Sequence, residues 1–298
     1  MPPEGHLSEH MQQIVDQIEA QKAQSQSGER AGSFEPSFEM PNGFGPGGGG
    51  ANLNYTDDDL DSYATIWRCQ VTKTTDSDHR RVVTALKHIS EGTELQTYLD
   101  MDAALKYMAV HNFSVNWDSL SGNMAHNYYL YEGGGKLSIL PWDYNLSFGS
   151  MMGRSNASGT VNDPIDDSWS ATNFFDAILD SEEYREQYHA YYQQLVDEYI
   201  FGGGFQQFYD RTRGQIDELV AADPNALYTY EEYDAAAQML CRLVELRGES
   251  IRGQLDGTIP STSQGQREDA AALIDASEID ISVMGTMNSG GGFGGGRR

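Results

Sequence analysis

Within these 298 residues one segment alternates where the others cycle. His126 to Leu140 reads HNYYLYEGGGKLSIL, with Tyr and Leu alternating before Gly133–Gly135, and Leu137, Ile139 and Leu140 after them. A period of two on either side of a glycine turn predicts a β-hairpin. The other strongly patterned segments repeat their apolar residues at helical spacing. They are Ser77–Ser90, the run AALKYMAVHNF that follows Asp100 and Asp102, Asn173–Leu179, YREQYHAYYQQLVDEYI, FQQFYDRTRGQIDELVAA and EEYDAAAQMLCRLVELRGESIRGQL. One hairpin among helices gives an α+β chain, mostly α, whose hairpin packs on the helices. ANLNY, at 51–55, is a further short strand candidate.

Local chemistry predicts where these elements start and stop. Thr56 is expected to cap a helix whose first turn is Asp57–Asp59 and which runs through Tyr63 and Ile66. That acidic run lacks the Gly and distal Glu of a calcium loop, so capping is the better reading. Gly92 is expected to end the Ser77–Ser90 helix. Capping boxes are expected at Asp180–Glu183 and at Thr229–Glu232. Gly202–Gly204 and Asp223-Pro224 interrupt the helical pattern. The stretch from 150 to 171, SMMGRSNASGTVNDPIDDSWSA, reads as a long loop.

The two ends differ from this body. Leu7, Met11, Ile14, Val15 and Ile18 suggest a short amphipathic helix, followed by a segment of Gly, Pro, Ser and Phe; residues 1–50 are therefore expected to be flexible. The folded lobe is expected over 51–264, and a polar, Gly-rich, disordered tail over 265–298. No run of 18 apolar residues exists and the start lacks a signal-peptide pattern, so neither a membrane span nor an export signal is expected. The net charge of −26, from 45 acids against 19 bases, disfavours nucleic acid as a partner and favours cations such as Mg²⁺. Cys69 and Cys241 form no CxxC pair, so zinc is not signalled. Two free core thiols are expected, with one disulfide as the alternative.

The polar chemistry gathers around the hairpin. Asp118 lies in a polar loop before it, Asn123 follows five positions later, and Asp143 comes just after its end, 25 positions from Asp118. Phosphoryl transfer needs a carboxylate at the acceptor hydroxyl and oxygen ligands for a divalent ion beside the phosphates. D-x-x-x-x-N followed by a hairpin ending in an acid matches that order. The plainer readings are a turn cap for Asp118, a loop brace for Asn123 and a turn brace for Asp143. His126 is in reach of the loop as a proton carrier, or serves structure before the strand. Lys136 is expected to face solvent at the start of the second strand.

The segment WDSLSGNMAHNYYLYEGGGKLSILPWDYNLSFG resembles the signature of the CotH family, spore-coat protein H-type kinases. The resemblance extends through GANLNYTDDDLDSYATIW, AALKYMAVHNF, SEEYREQYHAYY, TYEEY and LRGESIRGQLDGTIPST, covering residues 51–264, and is nearest to forms from clostridial gut bacteria. It implies the C-terminal lobe of a protein-kinase-like fold with a catalytic hairpin. It also implies ATP and Mg²⁺ or Mn²⁺ as cofactors, and transfer of the γ-phosphate to Ser or Thr of a coat, surface or secreted protein. Asp118 takes the catalytic base position, Asn123 and Asp143 the metal positions. Trp142 either packs near the nucleotide or in the core, where large aromatics mostly serve. The implied location is the spore surface, the cell surface or outside the cell.

The sequence also departs from the kinase pattern. Asn116-Trp117 stands where kinases place His-Arg, and Asn145 follows where a Gly is usual. Family members carry an upstream β-rich lobe with a phosphate-contacting basic residue, a pattern these residues do not show. The expectation is the catalytic half of an active site, and the sequence leaves open whether a nucleotide-holding half lies upstream or on another chain and whether this chain acts alone. The alternative function is a non-catalytic surface or spore-coat scaffold. A metal-dependent hydrolase built on Asp163, Asp166 and Asp167 is weaker, for lack of clustered His ligands.

Overall fold

A computed structural model describes residues 50–122, 125–148, 156–167 and 172–285. The sequence 51–55 does not form a strand: its backbone groups are spent elsewhere. The Thr172 hydroxyl donates to the Asn52 carbonyl at 2.5 Å and to Asn54 Oδ1 at 2.8 Å, and the Tyr128 hydroxyl donates to the Ala51 carbonyl. The first helical turn also starts later than expected. The Tyr63 hydroxyl accepts from the amides of Thr56 and Asp57 and donates to the Asp57 carbonyl. That holds 56–57 outside the helix, and Asp59 becomes the cap of a 3₁₀ turn, Leu60–Tyr63, followed by α1 (Ala64–Arg68).

α2 (Asp76–Ser90) opens with a capping box between Thr75 and Asp78 and buries Val82, Val83, Ala85, Leu86 and Ile89. It ends at Gly92, whose φ of 66° glycine adopts without the cost a Cβ would bring. After α3 (Leu95–Tyr98) comes α4 (Met101–Phe113), capped by the Asp100 side chain on the Ala103 amide. α4 is buried nearly all round, from Met101 to Phe113, and is the central helix of the lobe.

The hairpin consists of β1 (Tyr128–Gly133) and β2 (Lys136–Pro141), antiparallel, with Leu130 opposite Ile139 and Tyr131 opposite Ser138. Leu137 and Ile139 are buried against the helices, while Tyr129, Tyr131 and Leu140 face outward. The Asp100 amide donates to the Leu137 carbonyl at 2.8 Å, fixing β2 to the start of α4. Arg81 of α2 makes a two-pronged pair with Glu132, 2.8 Å on each side, which holds the turn end and keeps the Glu132 carboxyl below its usual range. Lys136 is exposed, as expected.

The stretch expected as one long loop contains a short helix, α5 (Ala157–Val161), capped by Asn156. α6 (Asp176–Leu179), α7 (Glu182–Gln194) with a wider π turn (Leu195–Ile200), α8 (Gly204–Ala222) and α9 (Tyr230–Asp256) follow. The capping box at Thr229 and Glu232 forms. The one at Asp180–Glu183 does not, because Asp180 closes α6 and Ser181 becomes the N-cap of α7 without a side-chain bond.

The expectation of disorder from 265 onward fails for 265–285. α10 (Ser263–Glu268) and two 3₁₀ turns, Ala270–Ala272 and Ile281–Met284, lead a chain whose Ala276, Ile279 and Ile281 pack on Val161, Leu243 and Leu246. Asn162 pairs with Ile274 in both directions, at 3.0 and 2.9 Å. The apolar residues there follow no single period, which is why the segment reads as polar tail. The N-terminal helix expected over Leu7–Ile18 lies outside the described residues, as do 286–298. Both cysteines are free, Cys69 exposed and Cys241 half-buried, so neither is a core thiol. No described helix is long and apolar enough to cross a membrane.

Candidate functional site

The site begins where α4 ends. The last carbonyls of a helix lack partners and carry negative partial charge. Arg247 of α9, fully buried, fills that role: its guanidinium donates to the carbonyls of Asn112 at 3.1 Å, Phe113 at 3.3 Å, Val161 at 3.2 Å and Asp163 at 2.5 Å. One side chain thus joins α9, the end of α4 and the segment after α5. The chain then turns at Val115, with φ 48°.

The loop that follows is held from below. The Tyr107 hydroxyl accepts from the Leu120 amide at 3.1 Å, and the Ser119 hydroxyl donates to the Asn116 carbonyl at 2.6 Å. Asn116 Oδ1 accepts from the Asp118 amide at 3.2 Å. Gly122 lies so close to the Trp117 backbone that a Cβ would sit 1.8 Å from its carbonyl oxygen, so only glycine fits.

Asp118 is half-buried at the mouth of the hairpin. The Asn127 amide donates to its Oδ2 and to its backbone carbonyl, both at 2.9 Å. His126 Nδ1 lies 3.3 Å from Oδ1. The Asn127 carbonyl in turn accepts from the Trp142 amide at 3.0 Å, next to Asp143. Asn127 therefore ties the loop carrying one acid to the turn carrying the other. Asp143 is exposed, with a left-handed backbone, φ 56°, and Oδ1 3.5 Å from the Asn145 amide. Beside it, the Tyr144 hydroxyl reaches His111 Nδ1 at 3.2 Å, and burial pushes that phenol up to about 12. The Phe148 amide donates to the Ser114 carbonyl at 2.7 Å and closes the loop on the end of α4.

Backbone strain concentrates here. Among the described residues seven non-glycines have positive φ, and five of them, Val115, Ala125, Asn127, Asp143 and Phe148, fall between 115 and 148. Each costs on the order of 1–3 kcal/mol, which a packed surround must supply.

Of the expected residues, Asp118 and His126 meet directly and Asp143 joins them through Asn127. Asn123 lies outside the described residues. Trp142 is not a core residue: it is 46% exposed and stacks on Tyr129, ring centres 5.9 Å apart. Leu137 and Ile139 already fill the inner face of the hairpin, and Trp142 belongs to the outer one. Asn127 was not singled out from the sequence; its place directly before the strand, beside His126, is the only signal it leaves. Asp163, Asp166 and Asp167 do not converge, since each meets a different partner. Asp163 lies by Arg247, Asp166 pairs with His189 at 2.7 Å and Asp167 holds the Ser263 amide at 2.7 Å.

No group of three or more His, Cys, Asp or Glu gathers among the described residues. A Mg²⁺ site does not need one, as this ion takes one or two carboxylates along with waters and phosphate oxygens. The open carboxylate of Asp143 is a hard oxygen donor of that kind.

A helical lobe with one hairpin among the described residues, an acid before it and an acid after it, is consistent with a kinase-like lobe. The family model for CotH kinase protein matches residues 13–251, and the chain belongs to that family. The match begins upstream of residue 51, where the resemblance started, and stops short of 264. No curated protein and no solved structure matches the chain.

Proposed function

We propose that this lobe serves a phosphotransferase that moves the γ-phosphate of ATP to a Ser or Thr hydroxyl of a coat, surface or secreted protein. The observation that carries the reading is the Asn127 link, which places Asp118 and the Asp143 turn at one mouth of the hairpin. Asp118 accepts the hydroxyl proton, with its carboxylate oriented by Asn127 and neighboured by His126. Asp143, together with Asn123, would hold Mg²⁺ or Mn²⁺. ATP supplies the phosphoryl group and the ion offsets its charge. Trp142, exposed on the outer face, would be available to pack on the nucleotide.

The test is calorimetry of the full chain with ATP and Mg²⁺, followed by phosphate transfer to a protein acceptor. Asp143→Ala is expected to abolish metal-dependent binding. Asp118→Asn is expected to keep binding and to lose transfer by about 10²-fold or more. Equal binding by wild type and Asp143→Ala would sink the proposal.

A second reading, a non-catalytic scaffold, draws on the outward hairpin face, where Tyr129 is 52% and Tyr131 60% exposed. It requires that Asp118→Asn and Asp143→Ala leave partner assembly intact while Tyr129→Ser weakens it.

A further inference from the structure

Between the end of α4, the loop that carries Asp118 and Asp163 lies a small cleft that the phosphotransfer reading does not use. His111, Asn116 and Asp163 line it with Val115, Trp117 and Ser121, and it has room of about 10 Å³ for a water-sized molecule. The first three are only 1%, 3% and 8% exposed. Each carries a buried polar atom without a partner among the described residues: His111 Nε2, Asn116 Nδ2 and Asp163 Oδ2. Leaving such atoms unsatisfied is costly, and a polar cleft of this size suits one water.

The hydrogen bonds around the cleft assign the role of each atom. His111 Nδ1 faces the Tyr107 carbonyl at 3.2 Å, which can only accept, so Nδ1 carries the proton and Nε2 offers a lone pair. Burial pushes this imidazole down to about 4, so it stays neutral at pH 7. Asn116 Oδ1 is taken by the Asp118 amide, so its Nδ2 is a donor. Asp163 Oδ2, 4.0 Å from the Arg247 guanidinium, accepts once its carboxyl, raised by burial to about 7, has given up its proton. The cleft thus offers one donor and two acceptors. A cation would meet the Asn116 N–H groups, and an anion would meet the Asp163 oxygen and the His111 lone pair. A water can accept once and donate twice.

We infer that the cleft binds one structural water, which accepts from Asn116 Nδ2 and donates to His111 Nε2 and Asp163 Oδ2. Its three partners are supports of the site. Asn116 holds the Asp118 amide, His111 holds Tyr144 next to Asp143, and the Asp163 carbonyl is held by Arg247. One water joins the supports of both acids, whatever reaction they serve.

A high-resolution crystal structure of the full chain, grown with EDTA, tests this. The expected result is a single solvent peak about 2.7–3.2 Å from all three atoms. In solution, NMR is expected to give a cross-peak between a long-lived water and the Asn116 side-chain amide protons. Asn116→Asp, which swaps the donor for a third acceptor, is expected to lose the water or exchange it for a cation. A peak with ligand distances near 2.0–2.4 Å in crystals grown without EDTA, absent from those grown with it, would make the site a metal site. Absence of both peak and cross-peak from the wild type would overturn the inference even if the variant does not fold.

Discussion

Two arginines show how differently the two ends of this lobe are built. Arg213, on α8, pairs with Asp217 at 2.7 Å and Asp234 at 2.6 Å and lies over the Tyr233 ring. It joins α8 to the first half of α9, a helical pair in which α8 buries no residue and α9 buries none before Leu243. Leu219 and Leu227 there are 70% and 90% exposed. Arg247, further along the same helix as Asp234, is wholly enclosed and donates to carbonyls from two stretches, Asn112–Phe113 and Val161–Asp163. A regular helix closes its own backbone bonds, so its charged residues only decorate it. The loops around Asp118 cannot, so they borrow donors from the core.

Breaking this contrast gives the largest expected effect. Arg247→Leu strands the Phe113 and Val161 carbonyls, leaves those of Asn112 and Asp163 with only the Val115 amide and the Gln254 side chain as donors, and removes the cation beside Asp163; it is expected to cost about 3–5 kcal/mol. Arg213→Ala is expected to cost within about 1 kcal/mol, because its pairs stand near solvent. Urea denaturation of both variants checks the ratio; comparable losses would erase the distinction.

Asp163 carries the next effect, and it depends on pH. Burial raises its carboxyl from 3.8 to about 7, against the pull of Arg247. Below pH 4 both folded and unfolded chains hold the proton. Between pH 4 and 7 the unfolded chain releases it while the folded one keeps it, so stability falls as pH rises and the loss is complete above 7. The shift amounts to as much as about 4 kcal/mol. Asp163→Asn is expected to flatten that dependence, so that the stability of the variant relative to wild type improves from pH 5 to pH 8. A constant difference would show that Asp163 titrates normally.

The same contrast explains what the sequence revealed. Period decides helices and the hairpin, so α2, α4, α9 and the β1–β2 hairpin were readable from Val82, Leu105, Leu243 and Leu137. Asp118 and Asp143 stand out in the sequence because their order around a hairpin matches a chemistry. Asn127 was not, because its role depends on a left-handed backbone and a bond to Trp142, neither of which has a period. Arg247 was not, because a buried cation at helical spacing looks like any exposed one. The packing of Ala276 and Ile281 was hidden for a similar reason: irregular segments bury residues one at a time. The reading of Trp142 as core failed because the hairpin has two faces, and alternation alone does not say which one Trp142 joins beyond the strand end.

The smallest effects form a matched pair with opposite chemistry. Gly214 sits within α8 with nothing within 4 Å of where a Cβ would go. Gly214→Ala is therefore expected to stabilise by about 0.5–1 kcal/mol, the ordinary gain in a helix interior. Asp143 presents the reverse case, a side chain on a backbone at φ 56° that a glycine adopts freely. Asp143→Gly is expected to leave stability unchanged or raise it by up to about 1 kcal/mol. It is also expected to abolish metal-dependent ATP binding. Thermal melting and calorimetry on the same two proteins separate the outcomes. Gains in both stabilities with loss of binding in Asp143→Gly alone would mean that the strain at 143 is kept for its carboxylate. A clear loss of stability in Asp143→Gly would mean that Asp143 braces its turn, and the functional reading of that acid would fall with it.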